Sequence, residues 1–179
     1  MILLMERFGA GIFIIFLNAS GMVESHQRIS LNFGNFTADV IWGYCNWGQL
    51  VSSSGDLNND RIGDIMVSAR SHGSALHFLF LTSVGTVQSF ISFDEIDNDF
   101  TSNHVSNGFI TASSMISDLN DHDIEDFVVD YNNEYKFGSY DSPGAVYVVF
   151  SDSSRGALSH QKIGLDVGGM TILFGTQIQ

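Results

Sequence analysis

Three segments of the chain share one order of apolar and polar stretches. Each begins with an apolar, β-rich run, passes through a polar turn that contains glycine, and continues into a second run. This order is typical of a β-hairpin. The apolar runs span 11–17, 75–81 and 145–150. Phe16 and Phe80 are 64 residues apart and Phe80 and Phe150 are 70 apart, which indicates one structural unit repeated along the chain.

Two acidic loops repeat together with these hairpins. The first acidic loop (56–64) and the second acidic loop (118–126) are offset by 62 residues, and an apolar run follows each at once. One repeat therefore contains four strands in antiparallel succession, with the acidic loop between the first and the second. The first complete unit places its strands near 49–54, 65–69, 75–81 and 86–92. Four such strands are the content of one β-propeller blade.

The repeat predicts an all-β fold made of four-stranded antiparallel blades of a β-propeller. The predicted units are a partial blade at 9–30, blades at 47–92 and 109–163, and a partial strand or tail at 164–179. Propellers have about four to eight blades, so about two and a half to three blades do not close a ring. We therefore expect a fragment that needs further blades, self-association, or an irregular packing, because an open stack exposes sheet edges.

The N-terminal segment has two interpretations. Residues 1–17 are apolar apart from Glu6 and Arg7, and small residues follow, as in a secretory signal. However, residues 11–17 also match the internal strands of the repeat, which favours a blade strand. The uninterrupted apolar part, 8–17, is shorter than the roughly 20 residues that a transmembrane helix needs, so no transmembrane span is predicted.

Composition agrees with an all-β chain and excludes one class of partner. Gly (18 residues) and Phe (15 residues) are frequent, whereas Pro occurs once, a balance typical of strands and turns. The chain has 20 acidic and 7 basic residues and a net charge of -13. Nucleic acid is therefore not an expected partner, because phosphate binding needs a basic surface. Cys45 is the only cysteine, which excludes an internal disulfide.

The first acidic loop has the ligand spacing of a calcium site. Calcium takes about six to eight oxygen ligands, and the loop offers oxygens at positions 1, 3, 5, 7 and 9. The predicted ligands are the side chains of Asp56, Asn58, Asp60 and Asp64 and the carbonyl of Ile62. An EF-hand is excluded, because positions 6 and 12 hold Arg61 and Val67 where that motif needs Gly and Glu. An Asx-rich turn without metal is the alternative.

The second acidic loop is a weaker copy of this site. Its predicted ligands are the side chains of Asp118, Asn120 and Asp126 and the carbonyl of Ile124. Position 5 is His122, whose ring is a poor ligand for a cation that prefers oxygen. In the alternative without metal, Asp126 is only a turn residue that caps the next strand.

Nothing in the sequence predicts catalysis. No Gly-x-Ser-x-Gly, phosphate-binding Gly-rich loop or His-Glu-x-x-His motif occurs, so no catalytic residue is assigned. His26 and His160 occupy equivalent positions of the repeat, which favours a structural role in the strands. Trp42, Tyr44 and Trp47 cluster near a unit boundary, where core packing is favoured over a ligand-binding patch.

Together these motifs resemble the FG-GAP repeats of the integrin α-subunit N-terminal β-propeller. Trp47-Gly48 stands at the Phe-Gly start of that repeat, Gly55-Asp56 opens the loop, and residues 144–148 are close to its Gly-x-Val-Tyr-Val strand. The resemblance covers about residues 9–163. It implies a calcium-stabilised propeller for recognition or adhesion, at the cell surface or outside the cell, with a protein or glycan ligand. N-glycosylation patterns at Asn18 and Asn35 agree with that location.

The chain also departs from the family pattern. Ser68-Ala69-Arg70 and Val129-Asp130-Tyr131 replace the family's Gly-Ala-Pro turn, and Ser117 rather than Gly precedes the second loop. The repeats are therefore degenerate copies. Beside a non-catalytic calcium-binding module, two alternatives stay open: an accessory propeller fragment of a larger secreted or cell-surface enzyme, and a repeat remnant without a binding role.

Overall fold

The structure is a computed structural model that describes residues 2–5, 11–37, 47–69, 75–93, 110–131, 144–151 and 157–164. All regular secondary structure in these ranges is β-strand, and no helix occurs among them. The all-β prediction is therefore confirmed for this part of the chain. The predictions for Trp42, Tyr44 and the tail after Gly164 lie outside the described residues.

Eleven strands in the described ranges form three antiparallel sheets. Sheet 1 contains β1 (Ile2–Met5), β2 (Gly11–Leu17) and β3 (Val23–Ser30). Sheet 2 contains β4 (Val51–Gly55), β5 (Asp64–Ala69), β6 (Ala75–Leu81) and β7 (Val87–Phe93). Sheet 3 contains β8 (Ile110–Ile116), β9 (Asp126–Tyr131), β10 (Ala145–Ser151) and β11 (Ala157–Gly164). In every sheet, strands adjacent in sequence are hydrogen-bonded neighbours, as the repeated hairpins predict.

The N-terminal hairpin has one more strand than the repeat predicts. Strand β1 pairs antiparallel with β2, with Ile2 opposite Ile15 and Met5 opposite Ile12. Residues 11–17 form a strand, in agreement with the interpretation taken from the repeat. The N-terminal sheet thus corresponds to the second, third and fourth strands of a unit.

Sheet 2 lies between the other two sheets and is covered by apolar side chains on both faces. Successive strand residues point to opposite faces, so Ile65 and Val67 face sheet 1, whereas Met66 faces sheet 3. The cluster between sheets 1 and 2 contains Ile12, Ile14, Ile29, Phe36, Trp47, Ile65, Val67, Leu79, Leu81 and Val87. The cluster between sheets 2 and 3 contains Leu57, Met66, Leu76, Phe78, Phe80, Ile110, Phe127, Val129, Ala145, Tyr147 and Val149. The three sheets therefore form a face-to-face stack.

The stack also has contacts between strands of different sheets. Strand β1 contacts β4, and β4 contacts β8, so the sheets meet along the first strand that each contains. In addition, residues 31–37 join sheet 1 to sheet 2, because Val87 N–H donates to Gly34 O and the Asn35 amide donates to Val87 O, both at 2.8 Å. These bonds fix how sheet 1 is seated on sheet 2.

Trp47 is a core residue, as the sequence predicts. It is fully buried and stacks on Phe36 with ring centroids 4.8 Å apart. The following residue, Gly48, has a φ of 85° and donates its N–H to Ser68 O. A Cβ at Gly48 would lie 2.7 Å from Ile12 Cγ2, so only glycine fits this close approach of the two sheets.

Candidate metal-binding loops

The two acidic loops occupy equivalent places in sheets 2 and 3. The first joins β4 to β5 and the second joins β8 to β9. Both have left-handed backbone conformations at positions 4 and 6: Asn59 (φ 62°) and Arg61 (φ 71°) in the first, and Asp121 (φ 59°) and Asp123 (φ 63°) in the second. Non-glycine residues rarely adopt such φ values. The repeat inferred from sequence therefore extends to the backbone of the loops.

In the first loop, the side chains at positions 1, 3 and 5 fold back over the loop backbone. Asp60 N–H is shared by Asp56 Oδ1 at 2.9 Å and Asn58 Oδ1 at 3.1 Å. Arg61 N–H donates to Asp56 Oδ2 at 2.7 Å, and Ile62 N–H donates to Asp60 Oδ1 at 2.8 Å. Three of the predicted ligands are thus gathered on the exposed side of one tight turn.

Asp64, at position 9, has a structural role that the spacing of the loop does not reveal. Its side chain is fully buried; Oδ2 accepts the Leu57 N–H at 2.9 Å and Oδ1 accepts the Leu81 N–H at 3.0 Å. One carboxylate therefore links the acidic loop to the end of β6. Burial raises the pKa of Asp64, the two N–H donors oppose this increase, and the charges of Asp60 and Asp56 add to it.

Asp126 makes the same link in sheet 3. Its side chain is fully buried, Oδ2 accepts the Leu119 N–H at 2.9 Å and Oδ1 accepts the Ser151 N–H at 3.0 Å. These bonds hold the second loop against the end of β10, as the bonds of Asp64 hold the first loop against the end of β6.

The rest of the second loop differs from the first at position 5. Asp118 accepts the N–H groups of Asn120 at 3.2 Å and Asp123 at 2.6 Å. Its side chain therefore folds back over the loop backbone, as that of Asp56 does in the first loop. His122 Nδ1 lies 3.4 Å from Asp118 Oδ1. Burial acts to raise the pKa of Asp118, but the two N–H donors and His122 together hold it below its ordinary value. His122 supplies no side-chain oxygen at the position where the first loop has Asp60.

Among the residues that the structure describes, no group of three or more His, Cys, Asp or Glu side chains is arranged to hold a metal ion. Asp56 and Asp60 bond to backbone on the exposed side of the first loop, whereas Asp64 bonds to buried N–H groups. The donor set, three carboxylates with an amide and a carbonyl oxygen, still has the hard-oxygen chemistry that calcium prefers.

The two glycosylation patterns lie in different surroundings. Asn18 is exposed in the β2–β3 turn, where its Oδ1 accepts the N–H groups of Ser20 and Met22. The Asn35 amide instead donates to Val87 O, between two sheets. The Asn35 side chain is thus bonded across two sheets, whereas the Asn18 side chain bonds only within its own turn.

No family model, curated protein or solved structure matches the chain. Within the described ranges, no helix is long and apolar enough to cross a membrane. The observations that bear on function are therefore the repeated loops and the stacked sheets.

Proposed function

We propose that this chain is a non-catalytic calcium-binding module of the FG-GAP β-propeller type, with calcium bound in the first acidic loop. The observation that carries the proposal is the convergence of Asp56 and Asn58 oxygens on one backbone N–H, that of Asp60. A loop that brings these oxygens around one donor has the curvature needed to surround a cation. The resemblance to FG-GAP repeats supplies the class of module.

Calcium would replace the hydrogen bonds that these side chains now make. It coordinates oxygens at about 2.3–2.6 Å, so Asp56, Asn58 and Asp60 need only local side-chain rotation to exchange an N–H partner for the ion. The Ile62 carbonyl would complete the turn. Each Asp64 oxygen accepts one N–H, and a carboxylate oxygen has a second lone pair that can face a cation.

Electrostatic repulsion within the loop gives calcium its effect on stability. The charges of Asp60 and Asp56 add to the raised pKa of Asp64, as expected for carboxylates that repel one another. A divalent cation removes this repulsion and binds only the folded arrangement. Calcium binding and folding are therefore coupled. In the second loop His122 replaces the position-5 oxygen, so we propose weaker binding or none there.

The sheet arrangement favours a propeller as the scaffold for this module. Sheets 2 and 3 are four-stranded antiparallel meanders stacked face to face, and β4 contacts β8 between them. In such a scaffold the acidic loops lie at one end of the stack, together with the ends of β6 and β10. We propose that another surface of the propeller recognises a protein or glycan ligand, at the cell surface or outside the cell.

Calorimetric titration with calcium tests the proposed site. We expect saturable binding by the parent chain, and Asp60→Asn is expected to weaken it by at least about tenfold, equal to about 1.4 kcal/mol. Asn retains an oxygen for the Ile62 N–H but removes the charge. Position 5 of the second loop is His122, so the control there is the same type of change at position 1, Asp118→Asn, which is expected to leave the tight binding unchanged. Absence of binding in the parent, or equal binding by Asp60→Asn, would refute the proposed site.

A further inference from the structure

The two outermost sheets each carry an apolar outer face whose counterpart in sheet 2 is buried. In sheet 3 this face is formed by Leu119, Val128, Val146, Val148 and Phe150, which alternate with the residues packed against sheet 2. The repeat offsets relate them to Leu57, Met66, Leu76, Phe78 and Phe80. All five of these sheet 2 residues are buried beneath sheet 3.

The difference in exposure between these equivalent residues is large. Leu57 is 2% exposed, whereas Leu119 is 56% exposed; Leu76 is fully buried, whereas Val146 is 39% exposed. Val128, Val148 and Phe150 are partly exposed. The outer face of sheet 3 thus has the apolar composition of an interface between two units.

The outer face of sheet 1, at the other end of the stack, is likewise apolar and has buried counterparts in sheet 2. It contains Phe13, Ile15, Leu17 and Val23, which the offset of 64 relates to His77, Leu79, Leu81 and Val87 in sheet 2. These four counterparts are buried against sheet 1. Val23 is 60% exposed, whereas Val87 is 1% exposed. Phe13, Ile15 and Leu17 are partly exposed.

The two outer faces are therefore opposite halves of one repeated interface. The outer face of sheet 3 corresponds to the face of sheet 2 that packs on the following sheet, sheet 3. The outer face of sheet 1 corresponds to the face of sheet 2 that packs on the preceding sheet, sheet 1. Each face also carries a charged residue, and the two are of opposite sign. Asp130 lies opposite Val146 on the outer face of sheet 3, and Arg28 lies opposite Phe13 on the outer face of sheet 1.

We propose that a second copy of this chain covers these faces head to tail, with the outer face of sheet 3 in one copy seated on the outer face of sheet 1 in the other. Such a contact is heterologous, and repeating it generates a ring if the rotation closes. Two copies supply six sheets, within the range of about four to eight blades found in propellers. The ring contains this contact twice, because each chain contributes one face of each kind.

Sedimentation of the 179-residue chain in metal-free buffer tests the ring independently of the calcium proposal. We expect a discrete species of two chains. Leu119→Glu and Val23→Glu each place a charge on one face, and each variant alone is expected to be monomeric, since a self-ring carries the change in both of its contacts. Association is expected to weaken at least about tenfold per altered contact. Both side chains are more than half exposed, so the fold is expected to persist.

Mixing the two variants distinguishes a head-to-tail contact from other arrangements. A mixture of Leu119→Glu and Val23→Glu retains one unaltered contact, so a species containing one copy of each is expected. Val84→Glu, at an exposed position of the β6–β7 turn, is the charge-matched control and is expected to form the parent species. A monomeric parent chain, a series of larger assemblies, or self-association by either face variant alone would overturn the proposal. A monomeric parent would be the result if residues 165–179 of the same chain cover the outer face of sheet 3.

Discussion

Replacing Asp64 with Ala is expected to lower the free energy of unfolding by about 4 kcal/mol in metal-free buffer. The substitution removes the two hydrogen bonds that the Asp64 carboxylate accepts from the Leu57 and Leu81 N–H groups, and losing the acceptor of a buried donor costs about 1–3 kcal/mol. It also opens space next to the loop. Urea-induced unfolding can be followed through the fluorescence of buried Trp47.

Asp60→Ala is the control that separates this structural role from metal binding. Asp60 is exposed, and its carboxylate accepts only exposed hydrogen bonds from within the loop, from Ile62 N–H and the Asn58 amide, so we expect a loss below about 1 kcal/mol without calcium. Asp64→Asn retains one acceptor oxygen and is expected to fall between the two. Equal stability of the parent and Asp64→Ala would show that the carboxylate does not hold the loop against β6.

Acidification is expected to destabilise the fold through His77. This side chain is fully buried between sheets 1 and 2, where its Nδ1 lies 2.8 Å from Ser92 Oγ and its Nε2 has no hydrogen-bond partner within the described ranges. Burial lowers the pKa of His77 from 6.5 to about 4. Between these values the unfolded chain binds a proton that the folded chain does not. Stability is therefore full above pH 6.5 and falls as the pH decreases towards about 4, by up to about 3 kcal/mol.

The difference between the parent chain and His77→Gln isolates this contribution. Other groups titrate in the same range: protonation of Asp64, whose pKa is raised, favours the fold, whereas protonation of Asp118, whose pKa is lowered, opposes it. Both effects are present in the parent and the variant and cancel in the comparison. We expect a shallower loss of stability in His77→Gln between pH 6.5 and 4. Parallel curves for the parent and His77→Gln would contradict the account of His77.

The strands and their order could be predicted because their signals are local. The apolar runs at 75–81 and 145–150 and the glycine-bearing turns after them specify hairpins, and the structure has β6 and β10 at those places. Strand β1 was not predictable in this way. Its short apolar sequence also fits a secretory signal, and its partner, β2, is selected by tertiary pairing.

The acidic loops were predicted in position but only partly in role. Their spacing shows which residues belong to one turn, and positions 1, 3 and 5 of the first loop do come together. The spacing does not show that Asp64 binds Leu81, 17 residues away, or that Asp126 binds Ser151, 25 residues away. The repeat offsets of 62 and 70 relate Asp64 to Asp126 and Leu81 to Ser151, but only the three-dimensional structure shows that each carboxylate contacts its partner.

Site-resolved NMR during a calcium titration tests the central claim most directly. The backbone N–H groups of Asp60, Arg61 and Ile62 donate to the side chains that would bind the ion, so their resonances report the exchange of these hydrogen bonds for metal ligation. We predict saturable shifts of these three amides before any change at Asn120 and Asp123 in the second loop. If excess calcium leaves the three amides unchanged, or shifts both loops equally, the first acidic loop is not a specific calcium site.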